Sequence, residues 1–352
     1  MCVHRYTLQA YAGRKTRHTC PACGKPHEFT RYLDTLTGDL LPEHLGRCNR
    51  EAECGYHLNP SDKGTTGRSY ADEVRESQSA TNRTWYMSQP APRPAPLGII
   101  PEEVVKRSMR DYSCNNFVRL LERLYGGAEA DELIRRFEIG TSNYWQGATI
   151  FWQRDEVGRM RGGQVVLFDE TGHTVKKRLA DGTKHRYTNW VHKALERAHQ
   201  KQGRELPKWL REYLRPEVAK SPCLYGLGQL AEAPAGQTVA LTEAAKTAVL
   251  ATPHFPAFLW LAVGSLSNLT PARLAPIKDR CIVLWPDAST NGSAYQLWAD
   301  KAAELRKQGF NITMSDYLET VCTAEQKAKG YDLADLILAD WPGYPASWDA
   351  TV

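Results

Sequence analysis

Four cysteines near the N-terminus constrain the fold of this chain more than any other feature of its sequence. They form two pairs, Cys20 with Cys23 and Cys48 with Cys54, and a glycine follows each pair. Closely spaced cysteine pairs supply thiolates two at a time to a tetrahedral Zn²⁺ ion, and four thiolates leave no position open for water. We therefore expect a structural zinc ion. The alternatives are a cluster of buried thiols without metal, or His57 as a replacement ligand.

Hydrophobic patterning predicts a small ribbon and a linker in the first hundred residues. The zinc ribbon is expected over residues 1–60, with a β-hairpin that turns at residues 37–39. Residues 61–99 lack hydrophobic periodicity and end in the proline-rich run QPAPRPAPLG. Such a composition is typical of a semi-stiff linker.

Two further domains are predicted, so the whole chain is expected to be a multidomain protein of mixed α+β and α/β class. Over residues 100–220, a helical stretch is followed by the β-type runs ATIFWQRD, GQVVLFD and HTVKKRL, with turns at 157–163 and 170–172. These runs predict a small antiparallel sheet. Over residues 221–352, buried strands alternate with helices, which predicts a largely parallel sheet.

The positive charge of the chain is concentrated in its middle. Residues 151–220 carry 16 lysines and arginines against 9 aspartates and glutamates. Interleaved with these cations are Phe168, His185, Tyr187 and Trp190, and rings beside cations suit a single strand whose bases stack. The alternative is an exposed sheet face whose aromatic side chains enter the core. The predicted nucleic-acid contacts are Arg159, Arg161, Lys176, Lys177, Arg178, Lys184 and Arg186.

Acidic residues follow the predicted strands of the C-terminal domain. Glu243 and Asp287 each come after a buried strand, and Asp332 and Asp335 lie in GYDLADLIL. Carboxylates at one sheet edge can hold Mg²⁺ or Mn²⁺ and leave water positions for phosphates. Lys246, three residues after Glu243, is expected to face the same cleft. The alternatives are helix-capping acids, an ordinary turn aspartate and an exposed helix lysine.

The order strand–Glu–helix, strand–Asp, then Asp-x-x-Asp resembles a toprim domain, the fold shared by DnaG-type primases, topoisomerases and certain nucleases. Nearly the whole chain resembles a primase-like family carried by bacterial mobile elements. The segments that carry this resemblance are CPACGKPHEFTRYLD, GRCNREAECGYH, ATIFWQRDEVGRMRGG, ALTEAAKTAVLAT, VLWPDAS and GYDLADLIL. It implies a zinc ribbon followed by a basic subdomain and a toprim-like, Rossmannoid sheet.

The same resemblance implies a DNA primase in mobile-element replication or transfer. Its zinc ribbon would contact single-stranded DNA, its basic subdomain would hold template and RNA–DNA hybrid, and Glu243, Asp287 and Lys246 would serve nucleotidyl transfer. A helicase or another mobile-element protein is an implied partner. Two positions depart from the toprim pattern, Ala244 for a glycine and Ser289 for an aspartate. The alternatives are a degenerate toprim protein that only binds nucleic acid, or a toprim nuclease.

Other classes of protein are not favoured by the sequence. No apolar run reaches the roughly 18 residues that span a bilayer, and residues 1–20 lack the apolar core of a signal peptide. We therefore expect a cytoplasmic protein without a membrane partner. The motif GxxxxGK[ST] is absent, so no ATP-driven motor is expected.

Overall fold

The computed structural model describes residues 5–35, 37–51, 53–64, 67–72, 95–178, 184–220 and 223–339. The chain divides into two compact units, Met1–Arg93 and Pro94–Val352. Residues 73–94 of the predicted linker lie outside the described residues. Within those residues, no helix combines the length and apolar character needed to cross a membrane.

The first unit is a four-stranded antiparallel sheet in which each strand pairs with the next. Its strands are β1 (Tyr6–Leu8), β2 (Phe29–Asp34), β3 (Gly46–Cys48) and β4 (His57–Leu58). The predicted hairpin is confirmed, because Leu33 bridges Leu40 and Gly38 turns the chain at φ +78°.

The core of the first unit is small and closely packed. Phe29 and Leu45 are fully buried. A Cβ atom on Gly46 would lie 2.4 Å from the carbonyl oxygen of Thr30, so only glycine allows β3 this close to β2. Tyr70 packs against the buried side chains of this sheet. The first unit therefore includes residues that composition alone assigned to the linker.

The second unit begins with helices and an antiparallel sheet. Asn115 caps the second helix by accepting hydrogen bonds from the N–H groups of Phe117 and Val118. Gly126, at φ +82°, ends that helix. Five helices belong to this described region: α1 (Glu102–Lys106), α2 (Asn116–Tyr125), α3 (Gly127–Arg136), α4 (Val191–Lys201) and α5 (Lys208–Tyr213).

The antiparallel sheet is confirmed, with two differences from the prediction. Its order is β10-β7-β6-β5, formed by β5 (Ile139–Ser142), β6 (Ala148–Arg154), β7 (Met160–Val166) and β10 (Thr188–Trp190). The glycines predicted to turn at 162–163 lie inside β7. The run Lys176–Arg178 does not join this sheet. Its three charged side chains are exposed, and charged side chains are unsuited to covering a core. It forms β8 (Lys176–Arg178) and pairs with β9 (Lys184–Arg186) in a separate two-stranded ribbon, the basic hairpin.

The C-terminal part of the second unit is an α/β layer with a fully parallel sheet, as predicted. Its strands are β11 (Val239–Thr242), β12 (Leu259–Ala262), β13 (Ile282–Leu284) and β14 (Ile312–Met314), in the order β12-β11-β13-β14. Every residue of β11 and β12 is buried, as expected when helices cover both faces. The helices are α6 (Ala245–Ala251), α7 (Pro271–Leu274), α8 (Ser293–Arg306), α9 (Tyr317–Val321), α10 (Ala324–Lys329) and α11 (Leu333–Leu338).

The strand order creates a switch point between β11 and β13. From β11 the chain first adds β12 on one side and then β13 on the other. In open α/β sheets, ligands bind outside the carboxyl ends of the strands at such a point. The residues that follow β11 and β13 are therefore where a site is expected.

Candidate metal centres and nucleic-acid interface

The four predicted cysteines converge on one point. Their sulfur atoms all lie within 4.8 Å of one another. The Sγ atoms of Cys20 and Cys54 are 3.7 Å apart, and those of Cys23 and Cys48 are 4.0 Å apart. Zn–S bonds of about 2.3 Å would place tetrahedral sulfurs about 3.8 Å apart. The site therefore fits a structural zinc ion.

Tight turns hold each cysteine pair in place. The N–H of Gly24 donates to the carbonyl of Cys20 at 2.9 Å, and the N–H of Cys54 donates to that of Arg50 at 2.9 Å. A backbone hydrogen bond from Lys25 lowers the pKa of Cys23 to about 7, whereas burial raises the pKa of Cys48 to about 12. The ring of His57 hydrogen-bonds the Tyr32 hydroxyl at 2.8 Å and lies outside the cysteine set.

The predicted acids of the C-terminal layer gather at the switch point around Asp287. Glu243 directly follows β11, and Asp287 lies three residues beyond β13. Burial raises the pKa of Asp287 well above its usual range, and the negative charges of Asp332, Glu243 and Asp335 raise it further. The structure therefore brings all four carboxylates into one electrostatic neighbourhood, which we call the acidic cluster.

Two members of the acidic cluster also cap a helix. Asp332 is the N-cap of α11, and its Oδ1 accepts the N–H of Asp335 at 2.7 Å. The other carboxylate oxygen of Asp332 accepts a hydrogen bond from the Thr247 hydroxyl at 2.8 Å. The capping alternative thus describes their local role correctly.

Lys246 faces the acidic cluster, as expected. Its Nζ lies 3.1 Å from Oδ1 of Asp335, with both side chains largely buried. From the turn after β7, Nε2 of His173 lies 3.5 Å from the same oxygen. Sequence reasoning missed Thr247 and His173, since neither belongs to a recognisable motif.

The acidic cluster is open rather than closed around a single point. Among the described residues, the four cysteines are the group of three or more ligand atoms that lie within 4.8 Å of one another. Mg²⁺ commonly keeps several waters and takes one or two carboxylates together with substrate phosphates. Among the described residues, the carboxylates of the acidic cluster therefore do not form a compact ligand set like that of the cysteines.

Ser289, which stands where the toprim pattern has an aspartate, serves the fold. Its hydroxyl accepts the N–H of Ala294 at 2.7 Å, in the first turn of α8. Its own N–H donates to Oε1 of Glu319 at 3.3 Å, and Lys327 lies 3.3 Å from the other oxygen of that glutamate. Glu319 is an acid near this edge that the sequence analysis did not single out.

The basic hairpin carries most of the predicted nucleic-acid contacts. Lys176, Lys177, Arg178 and Arg186 are exposed on it, and the side chain of Lys184 lies outside the described residues. Lys176 stands directly opposite Arg186 in the pairing register. Like charges in cross-strand pairs destabilise a ribbon, so this arrangement favours an anionic partner.

Two other predicted contacts have different surroundings. Arg161 was predicted to contact nucleic acid, but only 8% of it is exposed, because its guanidinium donates to the carbonyl of Gly98 and faces Asp155. Arg159 is partly exposed and forms an ion pair with Asp155 at 2.8 Å.

The aromatic side chains near the basic hairpin divide between core and surface. Phe168, expected among the cations, is 3% exposed and packs against Phe117 and Phe151. Tyr187 is half-buried and contacts His185 and Trp145, with ring centroids 5.5 and 5.3 Å away. The core alternative is therefore correct for Phe168.

Comparison with known proteins gives two family matches. Residues 4–68 match a model described as a zinc beta-ribbon finger, in agreement with the sulfur geometry. The N-terminal unit contains a zinc ribbon. Residues 115–288 match a model described as a domain of unknown function (DUF6371), which spans the antiparallel sheet and extends past Asp287. No relative was found among curated proteins.

Three solved structures illustrate the similarity at the level of coordinates. The primase fragment of the bacteriophage T7 primase-helicase protein is 13% identical, with a TM-score of 0.35 over 85% of this chain and 89% of that chain. A DnaG primase catalytic domain bound to ssDNA is 12% identical, with a TM-score of 0.41 over 71% and 77%. The Escherichia coli primase catalytic core is 12% identical, with a TM-score of 0.32 over 62% of this chain and 61% of that chain. Since these scores lie below 0.5, the fold is defined by the strand order and register described above.

Proposed function

We propose that this protein is a primase-type nucleotidyltransferase that joins nucleotides on a single-stranded DNA template with Mg²⁺ or Mn²⁺. The observation that carries the proposal is the position of Asp287 at the switch point of a parallel sheet. Three other carboxylates raise its pKa there. Crowding like charges is unfavourable for folding, and a bound cation would offset it.

The chain's own residues divide the work of this proposed reaction. Glu243 and Asp287 would hold the divalent cation, which when bound stabilises the charge on phosphoryl oxygens. Lys246 is held beside Asp335 at 3.1 Å, so its ammonium group is available at the edge of the cluster for a phosphate. Asp332 and Asp335 fix the start of α11 and so position Lys246 and Thr247.

The positive charge of the basic hairpin favours binding of an anionic partner next to this site. Its exposed lysines and arginines can neutralise successive phosphates of a single strand or an RNA–DNA hybrid. The turn that precedes β8 reaches the acidic cluster through His173. In this proposal the hairpin holds the template while the zinc ribbon contacts it. The motif resemblance extends the proposal to mobile-element replication or transfer, with a helicase as a possible partner.

The test is primer synthesis by purified protein on single-stranded template with labelled nucleotides and Mg²⁺ or Mn²⁺. We expect oligonucleotide products that Glu243→Gln reduces by roughly 100-fold or more, a typical loss when an electrostatic catalytic group is removed. Glu325→Gln, an exposed glutamate on α10, is the matched control and should retain activity. Absence of product, or equal product from the Glu243 variant, contradicts the proposal.

A second candidate is a non-catalytic nucleic-acid-binding module. It is favoured by Ser289, whose hydroxyl is engaged by Ala294 and supplies no carboxylate. Such a module would bind single-stranded DNA in a salt-sensitive way, and binding would survive Glu243→Gln and Asp287→Asn. It would weaken when Lys176 and Lys177 are both changed to Gln. A plasmid-nicking assay would identify a nuclease instead.

A further inference from the structure

A cavity lies in the antiparallel part of the second unit. Its volume is about 740 Å³, within the range of small-molecule sites. The β-sheet forms its floor through Trp152 and Val165, and α4 and α5 line it through Arg197 and Trp209. None of its described lining residues belongs to the acidic cluster.

The walls of this cavity combine aromatic rings with positive charge. Tyr144, Trp145, Trp152 and Trp209 line it, and the centroids of the first two rings are 4.6 Å apart. The described part of the lining also holds Arg107, Arg197 and Lys201 but no aspartate or glutamate. Ring faces beside unopposed cations suit a ligand that is planar and anionic.

The three cationic side chains of the cavity form no ion pair among the described residues. Arg107, Arg197 and Lys201 are all exposed. The guanidinium of Arg197 donates to the Tyr144 hydroxyl at 3.3 Å, so one cation stands directly beside the aromatic wall. An anionic group here would therefore meet cations without displacing an internal carboxylate.

We propose that this cavity binds a free mononucleotide. The base would lie against Tyr144, Trp145 and Trp209, and the phosphate would contact Arg197 and Lys201. A base and phosphate could also come from the end of a nucleic-acid strand, so the experiment must separate the two sources. The proposal is independent of catalysis at the acidic cluster, with which the cavity shares no described residue.

The test is isothermal titration calorimetry of the full chain with AMP, without added divalent metal. We expect AMP to bind, and the double variant Arg197→Gln/Lys201→Gln to weaken its affinity by at least about tenfold. The control Lys301→Gln/Lys307→Gln removes the same charge from α8 and its C-cap and should bind AMP like wild type. Adenosine and inorganic phosphate, titrated separately, should each bind more weakly than AMP.

Four results would overturn the proposal. One is the absence of AMP binding, and another is an equal loss of affinity in both double variants, which would reveal non-specific attraction to positive charge. Inorganic phosphate binding as tightly as AMP would show that the rings contribute nothing. The affinity for a short oligodeoxyadenosine is the last readout. If the double variant weakens binding of this oligonucleotide but leaves AMP binding unchanged, the cavity is a strand-end site instead.

Discussion

The zinc ribbon and the acidic cluster are two candidate metal sites built in opposite ways. In the ribbon, four sulfur atoms converge within 4.8 Å, and a small core packs around them. In the acidic cluster, burial and three neighbouring carboxylates raise the pKa of Asp287, but Asp332 and Asp335 are also used by the fold. The ribbon is therefore the kind of site in which the metal completes the fold. The acidic cluster is the kind of site in which a sheet edge that is already folded could accept a cation together with substrate.

The largest expected effect comes from breaking the cysteine site. Cys20→Ser or Cys48→Ser should abolish zinc binding and unfold the ribbon, since structural zinc contributes about 10–16 kcal/mol to such modules. Elemental analysis should find one zinc ion per chain in wild type and almost none in either variant. Cys114→Ser, which changes an exposed cysteine outside the cluster, should keep the ion. Full zinc retention by Cys48→Ser would contradict the structural assignment.

A smaller effect is expected from Asp335→Ala. This substitution removes the partner of Lys246 and one half of the capping box of α11. Because the ammonium group is largely buried, the free energy of unfolding should fall by about 2 kcal/mol. Glu325→Ala, which removes an exposed ion pair with Lys329, should leave Tm nearly unchanged. Equal Tm values for the two variants would show that Asp335 has no structural role.

Asp287→Asn should increase the free energy of unfolding, in contrast to Asp335→Ala. A carboxyl group whose pKa is raised by folding holds its proton more tightly in the folded state. Its contribution to stability is therefore present below the ordinary aspartate pKa of about 4 and is lost as the pH rises through the raised pKa. Replacing it by the neutral amide should stabilise the protein near pH 7 by about 0.5–2 kcal/mol.

The measurement for Asp287→Asn is Tm as a function of pH without added divalent metal. The gain over wild type should be largest at neutral pH and shrink in acid, where wild-type Asp287 is protonated in both states. Added Mg²⁺ should stabilise wild type more than the variant. A lower Tm for the variant at neutral pH would show that the carboxylate is favourably paired and would weaken the metal-site interpretation.

The smallest effect on stability is expected from Ser289→Asp, which would make the acidic cluster more like a dedicated metal site. The new carboxylate can still accept the N–H of Ala294, and the N-terminus of α8 favours negative charge. Repulsion from Asp287 opposes this, so unfolding free energy should change by no more than about 0.5 kcal/mol. The Tm increase caused by Mg²⁺ should exceed that of wild type, and an unchanged increase would exclude position 289 from metal binding.

The elements that could be predicted from sequence are those specified by local pattern. Paired cysteines specify the zinc ribbon, and continuous apolar runs such as the one in β11 specify the parallel sheet. The places of Glu243 and Asp287 followed from the rule that such strands end at a common edge. Asp332 was also predicted among these acids, and its charge acts on Asp287, although its helix-capping role depends on where α11 begins.

The remaining features depend on contacts between residues distant in sequence. Arg161 alternates with apolar residues like any exposed strand cation, and contacts with the carbonyl of Gly98 and with Asp155 explain its burial. Phe168 directly precedes two acidic residues, yet it packs on Phe117 from another element. His173 and Glu319 reach the C-terminal edge through tertiary packing, and no local motif marks either of them.

The turn that leads into the basic hairpin has a mechanical consequence. Gly172 turns at φ +83°, and a Cβ atom there would lie 2.7 Å from a methyl of Leu120 and 3.0 Å from one of Leu338. The backbone of this turn therefore packs between leucine side chains of α2 and α11, the helix that Asp332 caps. This packing therefore sets the distance between the turn that leads into the basic hairpin and the carboxylates at the start of α11.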